Sequence, residues 1–221
     1  MKRSHAYYPL FIDLVGRRCV VVGGGLVAER KVTTLLSYGA RVTVVSPSAT
    51  ARLRAYARRG RIDYLARPFR ASDLRGVWLV YAATNDRRTN HLVFTAATRR
   101  RIFTNVVDQP AQCSFIAPAI AKRGHLVIAI STGGASPSLA KHLRRRLQRV
   151  VGPEYARATE LLGELRPTVK DRLPRGAARQ RFYRELLDGE MFRRLRTGQP
   201  GAARRLAFAA LDDAAGARSH A

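Results

Sequence analysis

Cys19-Val20-Val21-Val22-Gly23-Gly24-Gly25-Leu26-Val27-Ala28-Glu29-Arg30-Lys31 is the stretch that decides the fold. Its first four residues form a short continuous apolar run, which suits a strand buried on both faces of a parallel sheet. The glycine triplet breaks that strand. Apolar residues then recur at Val27, Val32, Leu35 and Leu36, the spacing of a helix that packs one face inward, and Gly39 stops it. Arg41-Val42-Thr43-Val44-Val45 is a second, β-branched strand, ended by Ser46-Pro47. Together these pieces make one βαβ unit. Inside it, Gly23-x-Gly25-x-x-Ala28 has the spacing of a dinucleotide-binding turn. Gly23 permits the tight bend, Gly25 lets the backbone approach a pyrophosphate, and Ala28 lets helix and strand pack closely. The first N–H groups of the helix offer a partial positive charge to the phosphates.

The alternation continues outward. Residues 49–58 read as a helix, 62–65 as a short strand, 77–83 as a strong strand, 89–100 as a helix and 102–107 as a strand. Five strands alternating with helices predict an α/β doubly wound parallel sheet. The pattern then changes. Residues 114–120 and 126–131 read as two antiparallel strands about a Lys122-Arg123-Gly124 turn, followed by a small-residue loop, 131–137, and a helix over 138–151. From Glu154 onward there is no strand pattern. Helices are expected over 154–165, 176–188 and 190–196, with Pro167 and Pro174 as breaks and a fraying Ala- and Arg-rich end. The expected layout is a nucleotide-binding domain at 1–113, a small region at 114–150 and a helical region at 151–221.

Composition narrows the function. The chain is 46% hydrophobic and 25% charged, enough apolar material for a core. No apolar run approaches a membrane span and no signal-peptide pattern opens the chain. Two cysteines, Cys19 and Cys113, exclude a disulfide scaffold and a multi-cysteine zinc site, and a reducing cytoplasmic location is the expectation. Lys and Arg number 41 against 15 Asp and Glu, a net charge of +26. A polyanionic partner is one reading of that excess. Compositional drift toward arginine is the other, since only Lys122, Lys141 and Lys170 are lysines beyond position 31. The charge alone permits a nucleotide-sensing regulator that binds nucleic acid, but there is no helix-turn-helix signal and no aromatic RNA-binding motif.

Few residues carry candidate chemistry. The acid that holds the ribose 2′-hydroxyl in many NAD sites is missing after the second strand, where Ser46 or Ser48 stands instead. Arg41 or Arg52 would suit a 2′-phosphate, so these residues leave NAD and NADP open. Asp108 follows a strand at its carboxyl end, the edge where open α/β sheets bind ligands, although Asp ahead of a proline turn is also a good turn former. The 131–137 loop offers hydroxyl and N–H groups for a carboxylate, or simply caps a helix. His5, His91, His125, His142 and His220 make no metal pair, and no metal site is expected.

Several strings occur in order along the chain: Tyr8-Pro9-Leu10-Phe11, Val21 to Lys31, Ala82-Ala83-Thr84-Asn85-Asp86, Asn105-Val106-Val107-Asp108, Ser114-Phe115-Ile116-x-Pro118 and Gly133-Gly134-x-Ser136-Pro137. Residues 8–150 so resemble precorrin-2 dehydrogenase, which is also the N-terminal module of siroheme synthase. The resemblance implies a Rossmann-like sheet, a small dimerisation region at 114–150 and a helical C-terminal region. It implies NAD-dependent oxidation of precorrin-2 to sirohydrochlorin in siroheme or cobalamin biosynthesis, with iron insertion in some members and a separate chelatase for others. It places the catalytic aspartate on Asp108. It places cofactor contacts on Leu26, Val27, Pro47 and Ser48; Gly23, Gly24, Gly25, Ser46 and Thr84 are expected to complete the cofactor site, and Asn105, Ser114, Thr132 and Gly133 to bind the substrate. A homodimer is implied, with no nucleic-acid or membrane partner. Some members carry a phosphorylatable serine where Thr132 stands here. No methyltransferase module lies within these residues, so precorrin-2 is expected to be made elsewhere. A polycarboxylate substrate also fits a positive cleft.

Overall fold

The computed structural model describes residues 7–216, so His5 and His220 lie outside the described residues. The chain divides into two compact units, Met1–Ala117 and Pro118–Ala221.

The first unit contains β1 (Arg18–Val22), α1 (Leu26–Ser37), β2 (Arg41–Val45), α2 (Ala51–Arg58), β3 (Asp63–Leu65), β4 (Leu79–Ala82), α3 (Arg87–Arg99) and β5 (Phe103–Val106). All five strands are parallel, in the order β3-β2-β1-β4-β5, which is the doubly wound, Rossmann-like sheet that the alternation predicts. Successive side chains of β1 point to opposite faces. Cys19 and Val21 pack with Ala28, Val32 and Leu35 of α1. Val20 and Val22 pack with Val93 and Ala97 of α3. Burial on both faces is why the strand reads as unbroken apolar sequence rather than as an alternation. The strand order reverses between β1 and β4, where Val22 pairs with Ala82. Gly23 and Ala83 therefore meet at the carboxyl edge, the switch point where such sheets bind ligands.

Two short 3-10 turns, Ala71–Leu74 and Pro110–Gln112, went unanticipated. Each is too short to show a period. The first is closed by the Asp73 carboxylate, which accepts from the Arg70 N–H at 2.8 Å and from both terminal nitrogens of Arg67.

The second unit contains β6 (Ala119–Arg123), β7 (Leu126–Ile130), α4 (Pro137–Val150), α5 (Pro153–Arg172), α6 (Ala177–Asp188), α7 (Glu190–Arg196) and α8 (Pro200–Gly216). β6 and β7 form the expected antiparallel pair, but β6 runs over 119–123 rather than 114–120. Pro118 has no N–H for a ladder, and Ser114 and Phe115 bond to β5 residues instead. The turn is Gly124-His125, and Arg123 belongs to the strand. Its guanidinium donates to the carbonyls of Gln148 and Val151, closing the end of α4.

Pro167 does not break α5, which runs through it. The proline is exposed, while Leu161, Leu165 and Val169 are buried on one stripe. Burial of that stripe outweighs one lost backbone bond. The terminal segment also departs from expectation. Residues 200–216 form α8, anchored by Ala203, Ala207 and Leu211 in the same core.

Candidate active site

Three turns end β1, β4 and β5 at the carboxyl edge of the first unit. At the first, Gly23 takes φ +119°, and a Cβ there would collide with the Ala83 carbonyl. A Cβ at Gly24 would run into the Ser48 carbonyl, and the Gly24 carbonyl accepts from the Thr50 N–H at 2.9 Å. Gly25 differs. Its backbone is ordinary and extended, and a Cβ there would meet nothing within 4 Å. No side chain caps α1, so its first N–H groups are available to an anion. Ala28 is fully buried against the sheet, while Leu26 is exposed and Val27 half-buried.

Around this turn, the Glu29 carboxylate accepts from the Thr50 hydroxyl at 2.6 Å and pairs with Arg52 at 3.7 Å. That tie holds the start of α2 against α1. Ser46 is buried, its N–H donating to the Leu65 carbonyl and its carbonyl accepting from the Tyr64 hydroxyl. Pro47 and Ser48 are exposed just beyond it. Arg41 sits at the opposite, amino end of β2. Arg52 is taken up by Glu29 and by the Tyr56 ring, 5.6 Å away.

The second turn is knotted by Thr84. Its hydroxyl donates to Asn90 Oδ1 at 2.8 Å, and the Asn90 amide returns a bond to the Thr84 carbonyl at 3.0 Å. Asp86 caps α3 by accepting from the Arg88 and Thr89 N–H groups. The Thr89 hydroxyl above all, and then these amides, hold its carboxyl below the usual range.

The third turn carries Asp108, which is exposed and takes φ +59°. A left-handed backbone is uncommon away from glycine, though Asp tolerates it better than most residues. Asp108 lines a cleft of about 510 Å³ with Thr84, Asn85, Asn90, His91 and Gln112. The backbone of Thr84 in turn lies beside the place of a Gly23 Cβ, so the glycine turn and the Asp108 cleft share a wall. Gln112 Oε1 is buried without a hydrogen-bond partner among the described residues.

The sequence-based reading missed His91 and Gln112. The first sits on an amphipathic helix and the second in a 3-10 turn, and nothing in either pattern marks a ligand. Nor does the sequence pattern give Lys31 a role. It is half-buried, with its ammonium 4.9 Å from the centroid of the Tyr81 ring.

The remaining candidates do not line this cleft. Asn105 is buried and donates to the Phe115 carbonyl at 3.0 Å. The Ser114 hydroxyl accepts from the Thr104 N–H at 2.8 Å. Both pin the chain after Cys113 along β5. Thr132 and Gly133 belong to the second unit. There the Thr132 hydroxyl accepts from the Ser136 N–H at 3.0 Å, the Gly133 N–H donates to the Ser131 hydroxyl, and Ser136 caps α4. Burial pushes the Cys19 thiol up to about 11 and raises that of Cys113 as well, the reverse of an activated nucleophile. Among the described residues no three His, Cys, Asp or Glu side chains are grouped to hold a metal, and no helix is long and apolar enough to cross a membrane.

Three family models match successive parts of the chain. A putative NAD(P)-binding family covers residues 10–119, the sirohaem biosynthesis protein central region covers 123–149, and the sirohaem synthase dimerisation region covers 154–211. The siroheme synthase of Nitrosospira multiformis is 42% identical over 202 residues, which is 90% of this chain and 43% of that protein. Siroheme synthase 1 of Aeromonas salmonicida is 41% identical over 213 residues, 96% of this chain and 46% of that protein. The chain thus spans less than half the length of these relatives. The solved structure of SirC, precorrin-2 dehydrogenase, superposes with a TM-score of 0.72 at 28% identity, covering 91% of this chain and 98% of that one.

Proposed function

The chain belongs to the siroheme synthase family, and on that premise we propose that it oxidises precorrin-2 to sirohydrochlorin with NAD⁺. The observation that carries the reading is Asp108, a strained, exposed carboxylate in a cleft that shares a wall with the glycine turn.

The glycine turn fits a dinucleotide. Gly25 leaves open space where the backbone must approach a pyrophosphate, and the start of α1 has no side-chain cap to compete with it. Bound there, NAD⁺ supplies the hydride acceptor. Dehydrogenation takes two hydrogens from the macrocycle, one as hydride and one as a proton. Asp108, which lines the cleft, accepts the proton. Pro47 and Ser48 lie exposed at the end of β2, where the adenosine ribose falls in this fold. The choice of NAD⁺ over NADP⁺ rests on the two arginines suited to a 2′-phosphate. Arg41 is at the far end of its strand and Arg52 is engaged by Glu29.

The protein acts as a homodimer in this reading. The match to a dimerisation region over 154–211 supports it. So do the half-buried apolar residues of the β6–β7 hairpin, in the region expected to dimerise, since a two-stranded sheet leaves a face to cover.

Anaerobic incubation with precorrin-2 and NAD⁺ tests the proposal. NADH and the sirohydrochlorin spectrum should appear together. Turnover with neither nicotinamide would overturn the reading, and faster turnover with NADP⁺ would overturn the cofactor assignment.

A further inference from the structure

Lys31 is a cation that this mechanism leaves unused. It stands on α1 three residues past Ala28, and its ammonium lies over the Tyr81 ring of β4. Phe115 holds that ring edge-on at 5.4 Å. The charged and titratable groups about Lys31 are Arg30 on its own helix, Tyr81 on β4, Asp108 after β5 and Cys113 beyond it. Burial and Arg30 make the ammonium easier to deprotonate than usual, while Asp108 and Cys113 act in the opposite sense.

This ammonium is short of partners. It has three donors. Among the described residues it makes no ion pair, and its ammonium lies 4.9 Å from the centroid of the Tyr81 ring. A ring face attracts a cation but accepts no ordinary hydrogen bond, and a half-buried charge without acceptors is costly. Asp108 is close enough to act on it electrostatically, yet the two are not paired. Both ends of this opposed pair therefore stay open to a third group. The cofactor pyrophosphate is not that group. The uncapped N–H groups at the start of α1 already serve the phosphates, whereas the Lys31 ammonium is held over the Tyr81 ring of β4. The substrate is a polycarboxylate, which supplies what the ammonium lacks.

Resting on the dehydrogenase reading, we propose that Lys31 is a substrate-anchoring residue whose ammonium takes a side-chain carboxylate of the tetrapyrrole and presents the macrocycle to Asp108.

Steady-state kinetics of Lys31→Met and Lys31→Arg with precorrin-2, followed across neutral to alkaline pH, tests this. Lys31→Met should raise KM for the tetrapyrrole roughly tenfold, the effect of losing one charge-assisted contact. kcat should fall by less than KM rises, and the affinity for NAD⁺ should stay near that of the wild type. Lys31→Arg should keep KM near that of the wild type at neutral pH and hold it at alkaline pH, where the KM of the wild type climbs as Lys31 loses its proton. A purely structural lysine would not move this alkaline difference. If Lys31→Met does not fold, the alkaline comparison between Lys31→Arg and the wild type decides alone. An unchanged KM in Lys31→Met, or an alkaline rise shared by Lys31→Arg, overturns the inference while the dehydrogenase reading stands. Absence of turnover in the wild type overturns both.

Discussion

The turn at Gly23–Gly25 and the turn at Asp108 close strands of one sheet at one edge, and they meet opposite demands. At Gly23 and Gly24 neighbouring carbonyls, those of Ala83 and Ser48, occupy the space a side chain needs. The residue type there follows from the packing of the chain on itself. At Asp108 the backbone takes the kind of positive φ that glycine adopts freely, yet the chain places a carboxylate there and leaves it exposed. A residue kept at a strained position on a ligand-binding edge points to chemistry in its side chain. Gly25 is a third case, because nothing in the protein itself requires its lack of a Cβ. In the proposed function that space is left for the cofactor pyrophosphate.

The sharpest way to break the contrast is Asp108→Asn. Asn tolerates the left-handed backbone as well as Asp does, so the turn survives and only the carboxylate goes. Dehydrogenation should fall by roughly 10²–10⁴-fold, the usual worth of a positioned acid–base group. NAD⁺ affinity and the unfolding temperature should barely move. Joint loss of cofactor binding and stability would make Asp108 a turn residue only.

Gly25→Val probes the open glycine. It should weaken NAD⁺ binding by roughly a hundredfold, because a branched Cβ fills the space that the pyrophosphate approaches. Thermal stability should stay close to that of the wild type. Titration of NAD⁺ by protein fluorescence measures the first, and an affinity within about twofold of the wild type would count against a cofactor role.

Gly24→Ala should show the reverse pattern. Its Cβ meets the Ser48 backbone, so the loop must shift, at a cost of about 1–3 kcal/mol as for other overpacked sites. Denaturant unfolding reads this directly. Equal stability losses at Gly24 and Gly25 would erase the distinction between them.

The smallest expected effect lies away from both turns. Asp73 is held below the usual carboxylate range, chiefly by its hydrogen bonds to Arg67 and then by the Arg70 amide. A carboxyl depressed in the folded state contributes stability above its ordinary value of 3.8 and loses it as pH falls below that. Asp73→Asn should cost about 1 kcal/mol at neutral pH and flatten this acid dependence. An unfolding curve with the same acid limb as the wild type would remove Asp73 from that role. Activity should be unaffected, which separates a structural carboxylate from Asp108.

The parallel sheet was legible because its signals are local. Val20 to Val22, the glycine triplet and the β-branched run at Arg41–Val45 each declare an element within a few residues. The helical second unit was less legible. Its core joins Leu161 and Leu165 of α5 with Phe182, Leu195 and Leu211 of three further helices, and only that burial explains why α5 runs through Pro167 and why the Ala-rich 200–216 segment is a helix at all. Proline and alanine content describe one segment at a time, whereas burial of a stripe depends on what lies across from it.

The same division runs through the site. The sequence by itself determined the glycine turn, because glycines between a β-branched strand and a helix with one apolar face are a local signal, although the carbonyls of Ala83 and Ser48 that demand glycine at Gly23 and Gly24 come from elsewhere in the chain. It also marked Asp108, the one acid in a long basic stretch, at the end of a recognisable strand. Only the tertiary structure decided which residues join them. It brought His91 and Gln112 to the Asp108 cleft and set Lys31 over Tyr81. It placed Arg41 at the wrong end of its strand for a 2′-phosphate, and assigned Asn105 and Ser114 to holding the chain along β5. These are relations between residues far apart in sequence. They come into being only when the strand order reverses beside β1, and a side chain's neighbours across that reversal leave no trace in its own segment.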